Sequence, residues 1–365
     1  MRILKNTFGT SLTVTLFGES HGEAIGAVLD GLSPGITVDC DYINSKLALR
    51  RASSEISTAR REGDEFKILS GVFNGKTTGT PLCIVIENSD KHSSDYSLFK
   101  SVARPGHADY TAEMKYGGFQ DYRGGGHFSG RITAPLVAAG AILLYALKEK
   151  GIAVGTHLLR CGGISDRAFS DINADISHLD AAAFPVLDES AESRMIEKIL
   201  EAKRAGDSVG GVLETAVTGL PAGVGEPWFD TLEGVLSHAF FSIPAIKGVE
   251  FGAGFMCSEM RGSEMNDPFY TENGTVKTSK NDNGGINGGI SNGMPIIFRT
   301  AVKPTPSIAI KQNTVNFKDF ENTEIAIVGR HDPCIAHRAR VVQDAVTALV
   351  LGDMLLQKYG TDFLR

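Results

Sequence analysis

The sequence has little cysteine and no excess of positive charge. Its five cysteines are odd in number, widely separated and without C-x-x-C spacing, which indicates reduced thiols rather than a disulfide framework or a zinc site. The formal net charge of −7 argues against a general nucleic-acid-binding protein, because such proteins are usually basic. An anionic small substrate stays possible, since a local cluster of arginines can override the sign of the whole chain.

Long apolar runs are also missing. The longest, residues 134–147, is too short to span a bilayer and predicts a buried helix. The first residues lack the apolar core and the small-residue cleavage site of a signal peptide, so we expect a cytoplasmic protein with no membrane partner. No linker, internal repeat or low-complexity segment divides the 365 residues, although the length alone allows one domain or two.

Two common nucleotide-binding motifs are absent. The pattern GxxxxGK[ST] does not occur, which excludes a P-loop NTPase. The glycine-dense residues 281–293 contain no GxGxxG leading into a helix, so they give a Rossmann site little support. Strands and helices are predicted in blocks rather than in regular βαβ units, which favours an α+β fold with largely antiparallel sheets.

The sequence does concentrate polar chemistry in residues 104–131, RPGHADYTAEMKYGGFQDYRGGGHFSGR. Arg104, Arg123 and Arg131 stay charged at any physiological pH and present forked donors that suit phosphate or carboxylate. His107 can exchange a proton near pH 7. These residue types together favour a site for an anion.

The same stretch contains an uninterrupted glycine run at residues 124–126. Without Cβ atoms, the run lets backbone N–H groups approach an anion closely. The apolar residues 131–149 directly after it predict a helix whose positive N-terminal end would point toward that anion. The alternative is a flexible loop between two packed elements, since glycine runs are common in loops.

Two further polar motifs lie far from this stretch. GESHG at residues 18–22 connects two predicted strands, and a glycine-flanked His21 in a turn favours a functional role over core packing. Near the C-terminus, His331, Asp332 and His337 come together before a last predicted helix that begins at Val341. These three side chains could ligate a metal, which leaves a metal-dependent phosphohydrolase as one alternative.

In combination, GESHG at 18–22, RPGHADYTAEMKYGG…DYRGGGHFSGR at 104–131 and GRHDPCIAHRA at 329–339 closely resemble the chorismate synthase family. Further stretches such as PAGVGEP at 221–227 extend the resemblance along nearly the whole chain. The resemblance implies a single catalytic domain over residues 1–365. Its fold would be an α+β, β-α-β sandwich with helices layered between largely antiparallel sheets, assembled as a homotetramer.

The resemblance also implies a reaction. The family converts 5-enolpyruvylshikimate 3-phosphate to chorismate and phosphate, a 1,4-anti elimination without net redox change that requires reduced FMN. It is the last common step of the shikimate pathway to aromatic amino acids. By motif matching, His21 would protonate the leaving phosphate, His107 would protonate or stabilise the reduced flavin, and Asp332 would help flavin N5 take up the C6 hydrogen. NADPH would act only indirectly, for flavin reduction, by this protein or by a separate flavin reductase.

The same matching implies binding residues and no metal. Residues for the substrate's phosphate and carboxylates would be Arg50, Arg104, Arg131 and Arg330. Residues in contact with the flavin would be His127, Phe128, Ser129, Pro244, Ala245, Gly288, Lys303, Pro304, Thr305, Pro306, Ser307 and Arg330.

The sequence departs from the family pattern at several of these places. Where the family usually has GGGRSSARET, this chain has GGGHFSGRIT. His127 therefore replaces an arginine and Phe128 replaces a serine. The usual SINA turn is SIPA, where Pro244 removes an N–H donor. Where the family usually has the loop RRPGxSxxTT, this chain has RRASSEISTA, with Glu55 near the position of an expected arginine. A flavin-dependent reductase that kept the fold is therefore a second alternative, and a non-enzymatic binding module a third.

Overall fold

The structure is a computed structural model that describes residues 5–51, 55–57, 63–89, 98–327 and 332–365. Arg330 and His331, which the sequence analysis assigned to ligand or metal binding, lie outside the described residues.

The described chain alternates blocks of strands with blocks of helices. The strands are β1 Thr7–Gly9, β2 Thr13–Gly18, β3 Ala24–Asp30, β4 Phe66–Ser70, β5 Val72–Phe73, β6 Lys76–Thr77, β7 Leu82–Glu87, β8 Ala153–Cys161, β9 Ile164–Ser165, β10 Gly211–Thr218, β11 Ile246–Phe251, β12 Phe269–Glu272, β13 Thr275–Thr278, β14 Ile286–Asn287, β15 Ile290–Ser291, β16 Ile296–Val302, β17 Gln312–Asn316 and β18 Glu321–Ile325. The helices are α1 Cys40–Arg50, α2 Asp109–Tyr116, α3 Thr133–Glu149, α4 Ile172–Ala181, α5 Glu189–Arg204, α6 Leu232–Phe240, α7 Gly262–Met265 and α8 Ala336–Tyr359.

Two five-stranded antiparallel sheets enclose a pair of helices. The first sheet has the order β1-β2-β3-β7-β4 and the second the order β11-β16-β10-β8-β9. Helices α3 and α8 pack on each other, α3 against β3 and β7 and α8 against β8 and β10. The predicted α+β arrangement, with helices layered between antiparallel sheets, is confirmed.

Helix α3 is the centre of the core. Fourteen of its 17 residues are buried, as the apolar run predicted. A Cβ added at Gly140 would lie 2.4 Å from the Cβ of Ala345, so this glycine allows α3 and α8 to touch backbone to backbone. Together with the short helical turn before it, α3 forms a continuous helical segment, Gly130–Glu149, that is long and apolar enough to cross a membrane. However, 89% of its most apolar 18 residues are buried inside the protein.

Local sequence signals located several elements correctly and misplaced others. Strands β2 and β3 pair as predicted, and the Asp39 side chain caps α1 by accepting from the backbone N–H of Tyr42. Helix α8 begins at Ala336, five residues before the predicted start; polar residues near its beginning are accommodated inside the protein, since His337 and Arg340 are buried and Arg340 donates to the carbonyl of Leu179. The hairpins β12–β13 and β17–β18 were not predicted.

A buried carboxyl lies between α8 and the second sheet. Asp344 accepts a 2.5 Å hydrogen bond from the hydroxyl of Thr156. Burial raises the pKa of Asp344 to about 7, although the bond from Thr156 and the nearby charges of Lys46 and Arg340 act in the opposite direction, while Asp180 adds to the rise. The folded protein therefore holds a proton here that an unfolded chain has already lost.

We expect Asp344→Asn to stabilise the protein at pH 8. Since the folded-state pKa is raised from 3.8 to about 7, stability falls as pH rises between these values, and an amide removes that loss. The gain should be on the order of 2–4 kcal/mol at pH 8 and vanish below pH 4. Urea unfolding at pH 4, 6 and 8 measures it.

Asp175→Asn is the control with the opposite sign, because the hydrogen bond from Arg167 lowers the pKa of Asp175. It should lose stability at pH 8. An Asp344→Asn variant whose stability relative to the native protein is the same at pH 4 and pH 8 would contradict this account of the buried carboxyl.

Candidate active site

The glycine run brings two of the predicted catalytic residues together. Gly124, Gly125 and Gly126 have φ angles of +59°, +83° and +55°. A Cβ at Gly124 would lie 2.3 Å from Cδ2 of His21, and one at Gly125 would lie 3.3 Å from Nε2 of His107. The two imidazoles thus touch consecutive residues, and glycine is needed both for the left-handed backbone and for their close approach.

His21 reaches the glycines from the turn between β2 and β3. The backbone N–H of Ser20 donates to the carbonyl of Gly126 over 3.1 Å. The amide of Asn88 donates to the carbonyls of Glu19 and Gly22, at 3.0 and 3.1 Å. The predicted position of His21 in a hairpin turn is therefore correct, and the turn is fixed on both sides.

His107 is oriented by a carboxylate that the sequence analysis did not single out. Asp109 Oδ1 lies 2.8 Å from His107 Nδ1, and Arg104 donates to Asp109 from Nε at 2.8 Å and from Nη2 at 2.6 Å. Burial would raise the pKa of Asp109, but the bonds from Arg104 and His107 more than offset it and hold that pKa far below its ordinary range. Nη2 of Arg104 also lies 3.0 Å from His107 Nδ1, but the contact with the Asp109 carboxylate is shorter, so we assign the proton to Nδ1; Nε2 then faces Gly125 without a proton.

The contact of Arg104 with Asp109 was not predicted from the sequence. The residue was predicted to bind a substrate anion, and the structure places its guanidinium on Asp109, within a buried pair. An acidic residue two positions after the histidine, at the start of α2, is the sequence signal that could have identified Asp109. A direct contact of Arg104 with substrate stays a prediction.

A cleft of about 270 Å³, here named the arginine cleft, contains the third predicted catalytic residue. Its charged and polar lining consists of Arg50, Arg51, Asp64, Ser129, Arg131, Thr133, Asp332 and Arg338. Four guanidiniums face two carboxylates, so the cleft is positive within a chain whose net charge is −7. Neither His21 nor His107 lines this cleft; Ser129 is the link toward them, since its Cβ is 3.8 Å from a Cβ added at Gly125, the glycine that His107 approaches.

Asp64 holds two of these arginines in place. It accepts a 2.7 Å bond from Arg50 and a second bond from Arg131. Burial would raise the pKa of Asp64, but the charges of Arg50 and Arg131 outweigh it and lower the pKa. The backbone of Asp64 is left-handed, with φ +51°, and its surrounding sequence is polar and irregular, so the sequence alone gave no signal for this role.

Several buried polar atoms of the arginine cleft have no hydrogen-bond partner among the described residues. They are Nε of Arg50, Arg51 and Arg338 and Oδ1 of Asp332. A buried donor without a partner is costly, and phosphate or carboxylate oxygens would satisfy the three guanidinium donors. The donor set of the cleft therefore fits a multiply anionic ligand.

The predicted flavin contacts are distributed over more than one surface of the chain. Ser129 and Pro244 line the arginine cleft. The carbonyl of Ala245 accepts from the N–H of Lys303, whose side chain donates to the carbonyl of Gly106, next to His107. The remaining residues of that loop are Pro304, Thr305, Pro306 and Ser307.

His127 and Phe128 line a second cleft of about 330 Å³, here named the aromatic cleft, together with Phe17 and Tyr116. His127 Nδ1 donates to the carbonyl of Gly18 over 2.8 Å. Gly288 is exposed in the β14–β15 hairpin and lines neither cleft. A single chain therefore does not gather all the predicted flavin contacts, and their role stays a prediction.

The metal alternative finds no support in the part of the chain that the structure describes. No group of three His, Cys, Asp or Glu side chains there could hold an ion. His337 stacks on Phe184, and its Nε2 lies 3.2 Å from the hydroxyl of Ser57.

Two imidazoles brought together on one glycine run and a separate cluster of guanidiniums, within one α+β sandwich, are groups that suit acid–base chemistry on an anionic small molecule. A family model described as chorismate synthase matches residues 12–356. The chain therefore belongs to the chorismate synthase family, whose members are lyases, and the resemblance inferred from its motifs is confirmed.

Individual relatives align with nearly the full length of this chain. Proteins named chorismate synthase from Dehalococcoides mccartyi, Thermococcus gammatolerans and Methanosarcina acetivorans are 48%, 46% and 47% identical to this chain. The alignments cover 97%, 96% and 96% of this chain and 97%, 97% and 96% of the relatives. A solved structure named "Crystal Structure of Chorismate Synthase" matches with a TM-score of 0.75 and 28% identity, over 98% of this chain and 95% of that one.

We expect Gly124→Ala to displace His21, because the new methyl group would overlap the imidazole. Gly117→Ala is a matched control: its φ is +64°, close to the +59° of Gly124, and its Cβ would meet nothing within 4 Å. Both variants should lose about 1 kcal/mol of stability from the left-handed backbone, and Gly124→Ala should lose more because of the overlap with His21. Only Gly124→Ala should move the His21 imidazole resonances in an NMR spectrum, and unchanged resonances would contradict the close approach.

Proposed function

We propose that the protein converts 5-enolpyruvylshikimate 3-phosphate into chorismate and phosphate by 1,4-anti elimination, the last common step of the shikimate pathway. The main observation behind the proposal is the arginine cleft, with four guanidiniums and buried donors that have no partner among the described residues; its Ser129 lies near Gly125, the glycine that His107 approaches. The substrate has one phosphate and two carboxylates, so a cleft of this charge is what an acidic protein needs to bind it.

Within the cleft, Arg50 and Arg131 would bind the substrate's anionic groups. Because Asp64 already fixes both side chains, little reorganisation would accompany binding, and their field would be in place when charge develops on the departing phosphate. Cleavage of the C–O bond also needs a proton donor or strong charge neutralisation. His21, held against Gly124, would serve the leaving phosphate.

His107 would protonate or stabilise the reduced flavin, and Asp332 would help flavin N5 take up the C6 hydrogen. With Nδ1–H bound to Asp109, His107 presents Nε2 as its exchanging atom. Asp332 lines the arginine cleft with Oδ1 available as a proton acceptor. A carboxylate oxygen without a hydrogen-bond donor could assist the transfer of the C6 hydrogen to flavin N5, which is the role that the motif implies for Asp332.

Reduced FMN is the cofactor of the proposal, and it would supply electron density to the substrate during the elimination and recover it afterwards. The donor chemistry of the arginine cleft also suits the phosphate of this cofactor. Ser129, Pro244 and the loop from Lys303 to Ser307 would hold it, because the first two line the cleft and the loop lies on Gly106 beside His107. NADPH would enter only through flavin reduction, by this protein or by a separate reductase.

We further propose a cytoplasmic homotetramer built from single-domain subunits. Large apolar side chains on the surface support assembly: Trp228, Phe229 and Phe255 are 83%, 95% and 84% exposed. Exposed aromatic residues of this size are typical of surfaces that other chains cover. Assembly could also add contacts near Gly288, which one chain leaves apart from both clefts.

An anaerobic assay with chemically reduced FMN tests the proposed function. We expect phosphate release and chorismate absorbance to appear together, with no net consumption of reduced flavin. In the same assay, His21→Ala and His107→Ala should each lower the rate by roughly 10²–10⁴-fold, the range of a general acid or base. His178→Ala is the control, since its Nε2 donates to the carbonyl of Val186, outside both clefts.

The other outcomes separate the alternatives. Flavin binding without phosphate release would favour a reductase. Phosphate release that a chelator abolishes would favour the metal-dependent phosphohydrolase. Normal turnover in both histidine variants would refute their assigned roles.

A further inference from the structure

Arg338 joins the predicted catalytic carboxylate to the end of another helix. It lies in the first turns of α8 and donates from Nη2 to Asp332 Oδ2. Its Nη1 donates to the carbonyl of Arg50, the last residue of α1, over 3.1 Å. Asp332 is therefore tied through one guanidinium to the backbone of α1.

The two oxygens of Asp332 have different surroundings. Oδ2 accepts from Arg338, whereas Oδ1 is buried and has no partner among the described residues. The residue is 9% exposed and lines the arginine cleft. A carboxylate with one oxygen fixed in this way presents the other to whatever occupies the cleft.

We propose that Arg338 is a positioning residue, which holds Oδ2 of Asp332 so that Oδ1 faces the ligand. The inference rests on the proposed function for its link to turnover. Arg50, Arg51 and Arg131 also line the cleft and would compete for the Asp332 carboxylate, while Asp64 is already bound to two of them. Without Arg338, no hydrogen bond among the described residues would hold Oδ2, and the carboxylate would lose its orientation and its paired cation.

Arg338 also contributes charge. Burial, together with the repulsion from Arg50, lowers the pKa of Arg338 to about 10, so it remains a cation at neutral pH. A neighbouring guanidinium favours the ionised form of a carboxyl. The same contact therefore orients Asp332 and keeps it able to accept a proton.

The first experiment compares pH–rate profiles of the reduced-flavin reaction for the native enzyme, Arg338→Gln and Arg338→Lys. Arg338→Gln should lower kcat on the order of 10²-fold at pH 7, as expected when a reacting group is displaced by about 1 Å. The acidic limb of the pH–rate profile of Arg338→Gln should move to higher pH, because the Asp332 carboxyl loses the guanidinium that favours its ionised form. Arg338→Lys keeps the charge, so its acidic limb should stay near the native position while kcat recovers only in part.

Arg167→Gln is the matched control. Arg167 forms a comparable pair with Asp175, at 2.5 Å, but neither residue lines the arginine cleft. Loss of this pair should affect stability alone and leave the pH profile unchanged. A native-like profile and kcat in Arg338→Gln would overturn the proposal.

A double-mutant cycle with Arg338→Gln and Asp332→Asn, measured by urea unfolding of the protein without flavin, provides a readout independent of activity. We expect a coupling of at least about tenfold in the unfolding equilibrium constant. Additive effects would overturn the proposal even if the native enzyme were active. If the native enzyme released no phosphate, the proposed function would fail, and the cycle would still decide whether Arg338 holds Asp332. Arg338→Lys replaces Arg338→Gln in the cycle if the latter does not fold.

Discussion

The site depends on two imidazoles being able to touch consecutive backbone residues. Gly124 and Gly125 make this possible, because any side chain at the first would overlap His21 and a side chain at the second would crowd His107. The two histidines come from a hairpin turn in the first sheet and from the loop before α2, far apart in the chain. Without this contact, the two histidines would lie on separate polar loops.

Electrostatics supplies the second requirement. An acidic chain gathers four guanidiniums at one cleft, and their mutual repulsion is relieved only in part by Asp64 and Asp332. A ligand with several negative charges would complete this balance, which explains why buried donors there have no protein partner among the described residues. The low dielectric of a partly enclosed cleft strengthens each of these interactions. Because Asp64 holds Arg50 and Arg131 in place before a ligand binds, these guanidiniums could stabilise negative charge that develops on a bound ligand without first reorganising.

The sequence predicted what local patterns determine. Alternating residues predicted β2, apolar runs predicted β3 and α3, and the motif that contains His21 predicted its turn. The residues it missed acquire their role only through tertiary contacts. Asp64 matters because it meets arginines from two other elements, and Arg338 because α8 starts earlier than its apolar pattern indicates. The glycine run was predicted to cradle an anion, which stays a prediction; the structure adds that Gly124 and Gly125 make room for the two histidines.

The most direct test of the account is a crystal structure of the protein with the enolpyruvyl substrate and oxidised FMN. The account predicts the substrate's phosphate within hydrogen-bond distance of the His21 imidazole, its other anionic groups on the guanidiniums of the arginine cleft, and Asp332 Oδ1 facing the reacting ring. A substrate bound only in the aromatic cleft, away from His21 and Asp332, would contradict it.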